Sequence, residues 1–210
     1  MRTSAFRFMV SLSVLGVLGF ATLGGCSSDN GGTTGRGGAG GSAGSGSGGS
    51  GGGRTSISLT IASLGTSSAT GTALFEKLGS GEIKLTVMVS GAAPASAQHG
   101  IHIHANASCA DASDGDGGTT IGGGAGGHWN PEAHMHGTST ATNHLGDIGN
   151  IMVDASGAGT LTFMTSAWTI DTGAANDIVN HALVLHASPD DGTTQPTGNA
   201  GGRIGCVVIQ

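Results

Sequence analysis

The sequence predicts an all-β domain, an antiparallel sandwich or barrel interrupted by two long functional loops. Three observations carry that prediction. Apolar and polar residues alternate in several short runs, and no stretch repeats its apolar residues at the 3.6-residue period of a helix. Gly, Asn, Asp and Pro divide the runs from one another.

Taken in order, residues 56–61 (SISLTI) form the first β-like run. Residues 82–91 (EIKLTVMVSG) are the clearest, with Ile83, Leu85, Val87 and Val89 on one face and Lys84, Thr86, Met88 and Ser90 on the other. Residues 99–104 (HGIHIH), 159–165 (GTLTFMT), 181–186 (HALVLH) and 205–209 (GCVVI) complete the set. Between them, residues 105–147 and 187–203 are too polar and Gly-rich for strands. Connections of that length inside a compact domain are usually functional.

The N-terminal part has a different character. Arg2 and Arg7 precede an apolar run from Phe8 to Phe20, followed by Leu-Gly-Gly and Cys26. This pattern describes an export signal, and the cysteine makes it resemble a bacterial lipoprotein leader. Residues 1–25 are then the signal peptide, Cys26 the acylated first residue, and the expected location a membrane outside the cytoplasm. Ser27 after the cysteine suits the outer membrane, on its periplasmic or cell-surface side. Residues 26–54 are almost wholly Gly, Ser, Ala and Thr. Such a linker has nothing to bury and is expected to act as a flexible tether reaching roughly 30 Å. Residues 55–210 suffice for one domain with one core.

Removal of Arg2 and Arg7 with the leader takes the formal net charge from −6 to −8, which disfavours nucleic acid as a partner. After Lys84 the only Lys or Arg is Arg203. Its guanidinium is either a surface salt-bridge partner or a local guide for an anion. With Cys26 lipidated, Cys109 and Cys206 remain, and in an oxidising compartment a disulfide is the default expectation, two free thiols the alternative.

All nine histidines lie between His99 and His186. His102 and His104, two apart on a strand, present their imidazoles on one face while Ile101 and Ile103 take the other. His186 ends another strand-like run and could reach that pair across a sheet. His134, His136, His144 and Asp147 mix imidazoles with a carboxylate, a plausible tetrahedral zinc set, and His128 lies between the groups in sequence. Imidazole suits copper and zinc better than calcium or magnesium.

The ordered set HGIHIH, GGHWNP, HG, NHLGDIGN, LVLHASPDD and GNAGGRIGC resembles the copper–zinc superoxide dismutases, weakly from residue 55 and closely from His99 onward. The resemblance implies a Greek-key β-sandwich and a dismutase that turns superoxide into dioxygen and hydrogen peroxide. It implies that His102, His104, His128 and His186 hold copper, and that His128, His136, His144 and Asp147 hold zinc, with His128 bridging. His136 is favoured over His134 because Gly137 follows it, as in the family. Asp190 then matches the carboxylate linking a copper ligand to a zinc ligand, Cys109 and Cys206 the disulfide, and His128 and Arg203 the catalytic proton carrier and anion guide. His99, His134 and His181 match no ligand and read as structural or surface residues.

The chain departs from the family in two places. Its second loop is short and lacks lysine, which leaves Arg203 as the sole cationic guide. The segment CADASDGDGG is unusually acidic, so Asp111, Asp114 and Asp116 read as a solvated turn or a weak cation site. A non-catalytic copper- and zinc-binding lipoprotein is the rival reading. Monomer and homodimer both stay open.

Overall fold

A computed structural model of the protein describes residues 53–210. The expected leader, Cys26 and most of the linker lie outside the described residues. Ten strands run in chain order: β1 (Ser56–Ser63), β2 (Thr70–Lys77), β3 (Ile83–Ser90), β4 (Gln98–His104), β5 (Ala112–Ser113), β6 (Thr119–Thr120), β7 (Asp147–Met152), β8 (Gly159–Thr165), β9 (His181–His186) and β10 (Arg203–Ile209). Eight of them form one antiparallel sheet in the order β7-β4-β9-β10-β1-β2-β3-β8. It folds into two four-stranded halves joined where Ala62 and Ser63 pair with Cys206 and Gly205. Strand β9 returns beside β4 after β7 and β8 have been laid down, the Greek-key order that the resemblance implied.

The core lies between the halves. Ile83, Leu85, Val87 and Val89 of β3 are all buried, as the alternation predicts, while Met88 between them is 56% exposed. Opposite them stand Ile101 and Ile103 of β4 and their partners Leu185 and Leu183 of β9. Phe75 and Trp168 fill the middle with ring centroids 6.2 Å apart. Residues 105–146 and 187–202 are the two long connections. The first departs from the expectation of an unpaired loop in the short β5–β6 hairpin, in a 3-10 turn over Gly123–Ala125 and in a single antiparallel bridge between His128 and His104.

The outer face of the β10-β9-β4 side is the unusual one. A β-strand sends alternate side chains to opposite faces, so His102 and His104 of β4, His186 of β9, and Arg203 and Cys206 of β10 all leave on that side. The three histidines are nevertheless buried, because the two long connections fold over them. Two β-bulges adjust this face. One extra residue, Ile148, lets Asp147 pair with His102. Another, Ile204, lets Arg203 pair with His186.

Candidate metal centre

Residues 127–129 return to the end of β4 and form a single antiparallel bridge with it. The Trp129 N–H donates to Ile103 O at 2.8 Å and the Ala105 N–H to Gly127 O at 2.9 Å, placing His128 beside His104. Gly146 closes the same patch, and a Cβ there would fall 2.1 Å from Ile103 O, so only glycine allows the approach. The turn after His144 brings Asp147 back to it, with the Asp147 N–H donating to His144 O at 3.1 Å. Trp168 Nε1 secures that turn from the core by donating to Leu145 O at 2.8 Å.

Two four-residue clusters result. His102, His104, His128 and His186 converge in one, and His128, His136, His144 and Asp147 in the other, with each group's candidate donor atoms within 4.8 Å of one another. His128 belongs to both. Its ring lies over that of His102, centroids 3.9 Å apart, with Nδ1 2.9 Å from Asp147 Oδ1. Among the described residues no other group of His, Cys, Asp and Glu converges in this way. The Asp114 segment is a turn, its Oδ1 accepting the N–H groups of Asp116 and Gly118.

The hydrogen bonds fix which ring nitrogen is free. His104 Nδ1 donates to Gly126 O at 2.9 Å and His186 Nδ1 to Gly201 O at 3.2 Å, so each turns an Nε2 lone pair inward. Those two Nε2 atoms are 3.2 Å apart. Two facing lone pairs at that distance repel unless a cation or proton lies between them. His102 Nε2 donates to Asp190 Oδ2 at 2.8 Å, and His136 Nε2 to Asp190 Oδ1 at 3.0 Å, freeing both Nδ1 atoms. His102 Nδ1, His128 Nε2 and His144 Nδ1 are buried without any hydrogen-bond partner among the described residues. A buried nitrogen in that state is costly without a ligand. The residues therefore fit two metal ions, an all-imidazole set suited to copper and a three-imidazole, one-carboxylate set suited to zinc.

Electrostatics prepare the same donors. Burial pushes the imidazolium form of His102 down to about 4 and that of His186 down to about 3, so both rings are neutral at pH 7. His104 is lowered for the same reason, further disfavoured by the neighbouring His186 and His128 and, least, by the charge of Arg203. Burial opposes ionisation of Asp147, but hydrogen bonds from His128 and the Gly137 N–H outweigh it and hold the carboxyl below its usual range. Asp190 is held lower still, its burial outweighed by His102, the Gly192 N–H and His136.

A cavity of about 700 Å3 reaches this centre beside His104 and His186. Among the described residues Arg203 is the only charged side chain in its wall, with its guanidinium on the carbonyl oxygens of Gly122 and Gly126. Cys109 and Cys206 are joined in a disulfide, Cα atoms 5.8 Å apart, which ties the first connection to β10 near Arg203. The other three histidines stay outside the clusters. His99 is buried on the core side against His186 O and Pro94 O. His134 reaches Asn143 O and Glu132 at the surface, and His181 packs at a tilt against Trp129.

Asn150 had no role in the sequence reading. Its amide accepts the Asp190 N–H at 2.7 Å and donates to Asp190 O at 2.8 Å, which fixes the carboxylate between the two rings. Its place in NHLGDIGN was the only signal, and no role could be attached to it without the partner strand and loop.

Comparisons with known proteins point to one family. The family described as copper/zinc superoxide dismutase (SODC) matches residues 69–209. A Cu-Zn superoxide dismutase of Deinococcus radiodurans is 40% identical over 151 residues, covering 69% of this chain and 79% of that protein. Cu-Zn superoxide dismutase 2 of Brassica juncea is 38% identical over 146 residues, covering 66% of this chain and 88% of that protein. Among solved structures, the Cu/Zn superoxide dismutase from Brucella abortus aligns with a TM-score of 0.64 at 25% identity, covering 74% of this chain and 99% of that one.

Proposed function

The chain belongs to the copper/zinc superoxide dismutase family, and from that premise we propose that it dismutates superoxide outside the cytoplasm, tethered to a membrane through Cys26. The observation that carries the reading is the pair of buried clusters sharing His128. His102, His104, His128 and His186 hold copper, and His128, His136, His144 and Asp147 hold zinc. Copper supplies the one-electron cycling that oxidises one superoxide to dioxygen and reduces a second, with two protons, to hydrogen peroxide, while redox-inert zinc supplies a fixed charge.

The side chains do the remaining work. Arg203 draws the anion into a cavity whose wall, among the described residues, has no carboxylate, which offsets in part the lysine-free loop. His128 carries a proton at Nε2 between the two halves of the cycle and passes it to the departing peroxide. Asp190 locks the tautomers of His102 and His136, so both present Nδ1 to their ions. The leader of residues 1–25 and the linker of residues 26–54 support export and a tether, with the outer membrane as the proposed site.

The test combines metal analysis with a dismutation assay. The loaded protein is expected to hold one copper and one zinc and to dismutate superoxide, and His186→Ala to lose copper and activity together while keeping zinc. Full activity with zinc alone overturns the mechanism. Both metals without turnover would favour the non-catalytic reading. Cys26→Ser is expected to move the protein from the membrane fraction to the soluble one, and unchanged membrane association contradicts the anchor.

A further inference from the structure

His136 sits on the long first connection and belongs to no strand. Its backbone N–H and C=O are both satisfied by one exposed side chain on the other connection. Gln195 Oε1 accepts the His136 N–H at 2.8 Å, and Gln195 Nε2 donates to His136 O at 2.8 Å. Among the described residues no other hydrogen bond reaches either group. A two-point amide contact of this kind mimics a neighbouring strand, because it fixes the peptide planes on both sides of one residue and thereby the direction of its Cα–Cβ bond.

Gln195 is itself held in place. Its Nε2 also donates to Thr193 O at 3.2 Å. Beneath it, Asp191 Oδ1 accepts the N–H groups of Thr193 and Thr194, and Asp191 Oδ2 accepts the Thr194 hydroxyl at 2.6 Å. The same loop then passes so close to the Asp190–His136 contact that a Cβ at Gly198 would lie 2.5 Å from His136 Nε2, at a positive φ of 65°. The loop therefore grips His136 at its backbone through Gln195 and at its ring through Asp190.

We infer that Gln195 is a positioning residue for the zinc ion, holding His136 so that its Nδ1 stays 3.0 Å from Asp147 Oδ1 and making zinc retention depend on the loop that covers the copper side. The inference rests on the reading of His136 as a zinc ligand. Asp190 would still orient the ring without Gln195, but the backbone carrying it would be free to swing, and its two part-buried peptide groups would need new partners.

The experiment uses the full chain with copper in the first cluster and cobalt(II) or zinc in the second. Gln195→Ala and Gln195→Met are compared with wild type by chelator competition for each metal and by the visible bands of cobalt. Met keeps the length of the side chain and removes both hydrogen bonds. Both variants are expected to bind zinc roughly tenfold more weakly, to shift the cobalt bands, and to keep copper affinity unchanged. Wild-type zinc affinity in either variant overturns the clamp, as does an equal loss of copper and zinc, which would mean general loosening of the loops. His136→Ala separates the two levels of the claim. If the wild type shows no cobalt bands that His136→Ala abolishes, the zinc assignment itself fails; if it does and the Gln195 variants match it, only the clamp fails.

Discussion

Arg203 stands directly opposite His186 in the antiparallel pairing of β10 with β9. The guanidinium is thus built into the strand beside a candidate copper ligand and pinned on the carbonyls of Gly122 and Gly126. With Lys84 the nearest preceding cation in sequence, no other Lys or Arg of the last 126 residues can replace it.

Arg203→Ala is therefore expected to retain both metals yet dismutate superoxide roughly tenfold more slowly at low ionic strength, where steering is strongest. The rate should also lose most of its salt dependence. Rates measured by pulse radiolysis across a salt series check this, and a variant with wild-type salt dependence contradicts it.

Asp190→Ala leaves His102 Nε2 and His136 Nε2 without their shared acceptor. Both rings are then free to change tautomer, and the affinity for one or both ions should fall about 10–100-fold. Chelator competition reads the loss directly. Unchanged affinity for both ions would show that the link is dispensable.

Cys109 and Cys206 are 97 residues apart, and the bridge closes most of the metal-bearing half of the domain. Replacing both by serine should cost about 4–5 kcal/mol of stability on the loop-entropy account. Denaturant unfolding of the metal-free protein measures it. A negligible change would place the stabilising ties of this loop elsewhere, in the Arg203 contacts or the metals.

Asp177 tests pH dependence away from the metals. Burial works against its ionisation, but the N–H groups of Val179, Gly173, Thr172 and Asp171 outweigh it and hold the carboxyl below its usual range. A carboxylate whose folded-state value is depressed stabilises the fold fully above the unfolded value of about 4 and loses that contribution as pH falls through the folded value. Asp177→Asn should cost about 2 kcal/mol at pH 7, and the gap from wild type should close in acid. Thermal unfolding from pH 7 down to pH 3 checks the sign, and a gap that widens in acid would refute it.

Most strands were legible because their alternation is strong. Four were not, and each has a physical reason. Strands β5 and β6 are two residues long and lie inside the expected first loop, too short to show any period. In β2 the core-side positions of residues 71 and 73 are Gly and Ala, so only Phe75 advertises the buried face. In β7 the bulge at Ile148 breaks the period of two within six residues. The site was legible at the level of residue types and order. The choice of His136 over His134 rested on the glycine that follows it, and the structure separates the two plainly, His136 buried in the cluster and His134 at the surface.

Local pattern alone determined which faces of the strands are apolar, where the chain leaves regular structure, and that the imidazoles concentrate in one region. The family resemblance already implied the shared position of His128 and the Asp190 link, whereas the inward lone pairs of His104 and His186 and the Gln195 grip were decided only by the folded chain. The reason is one of range. Alternation is set between neighbours a few residues apart, whereas the tautomer of a ring and the burial of its free nitrogen depend on acceptors brought in from elsewhere, such as Asp190, which lies 88 residues from His102.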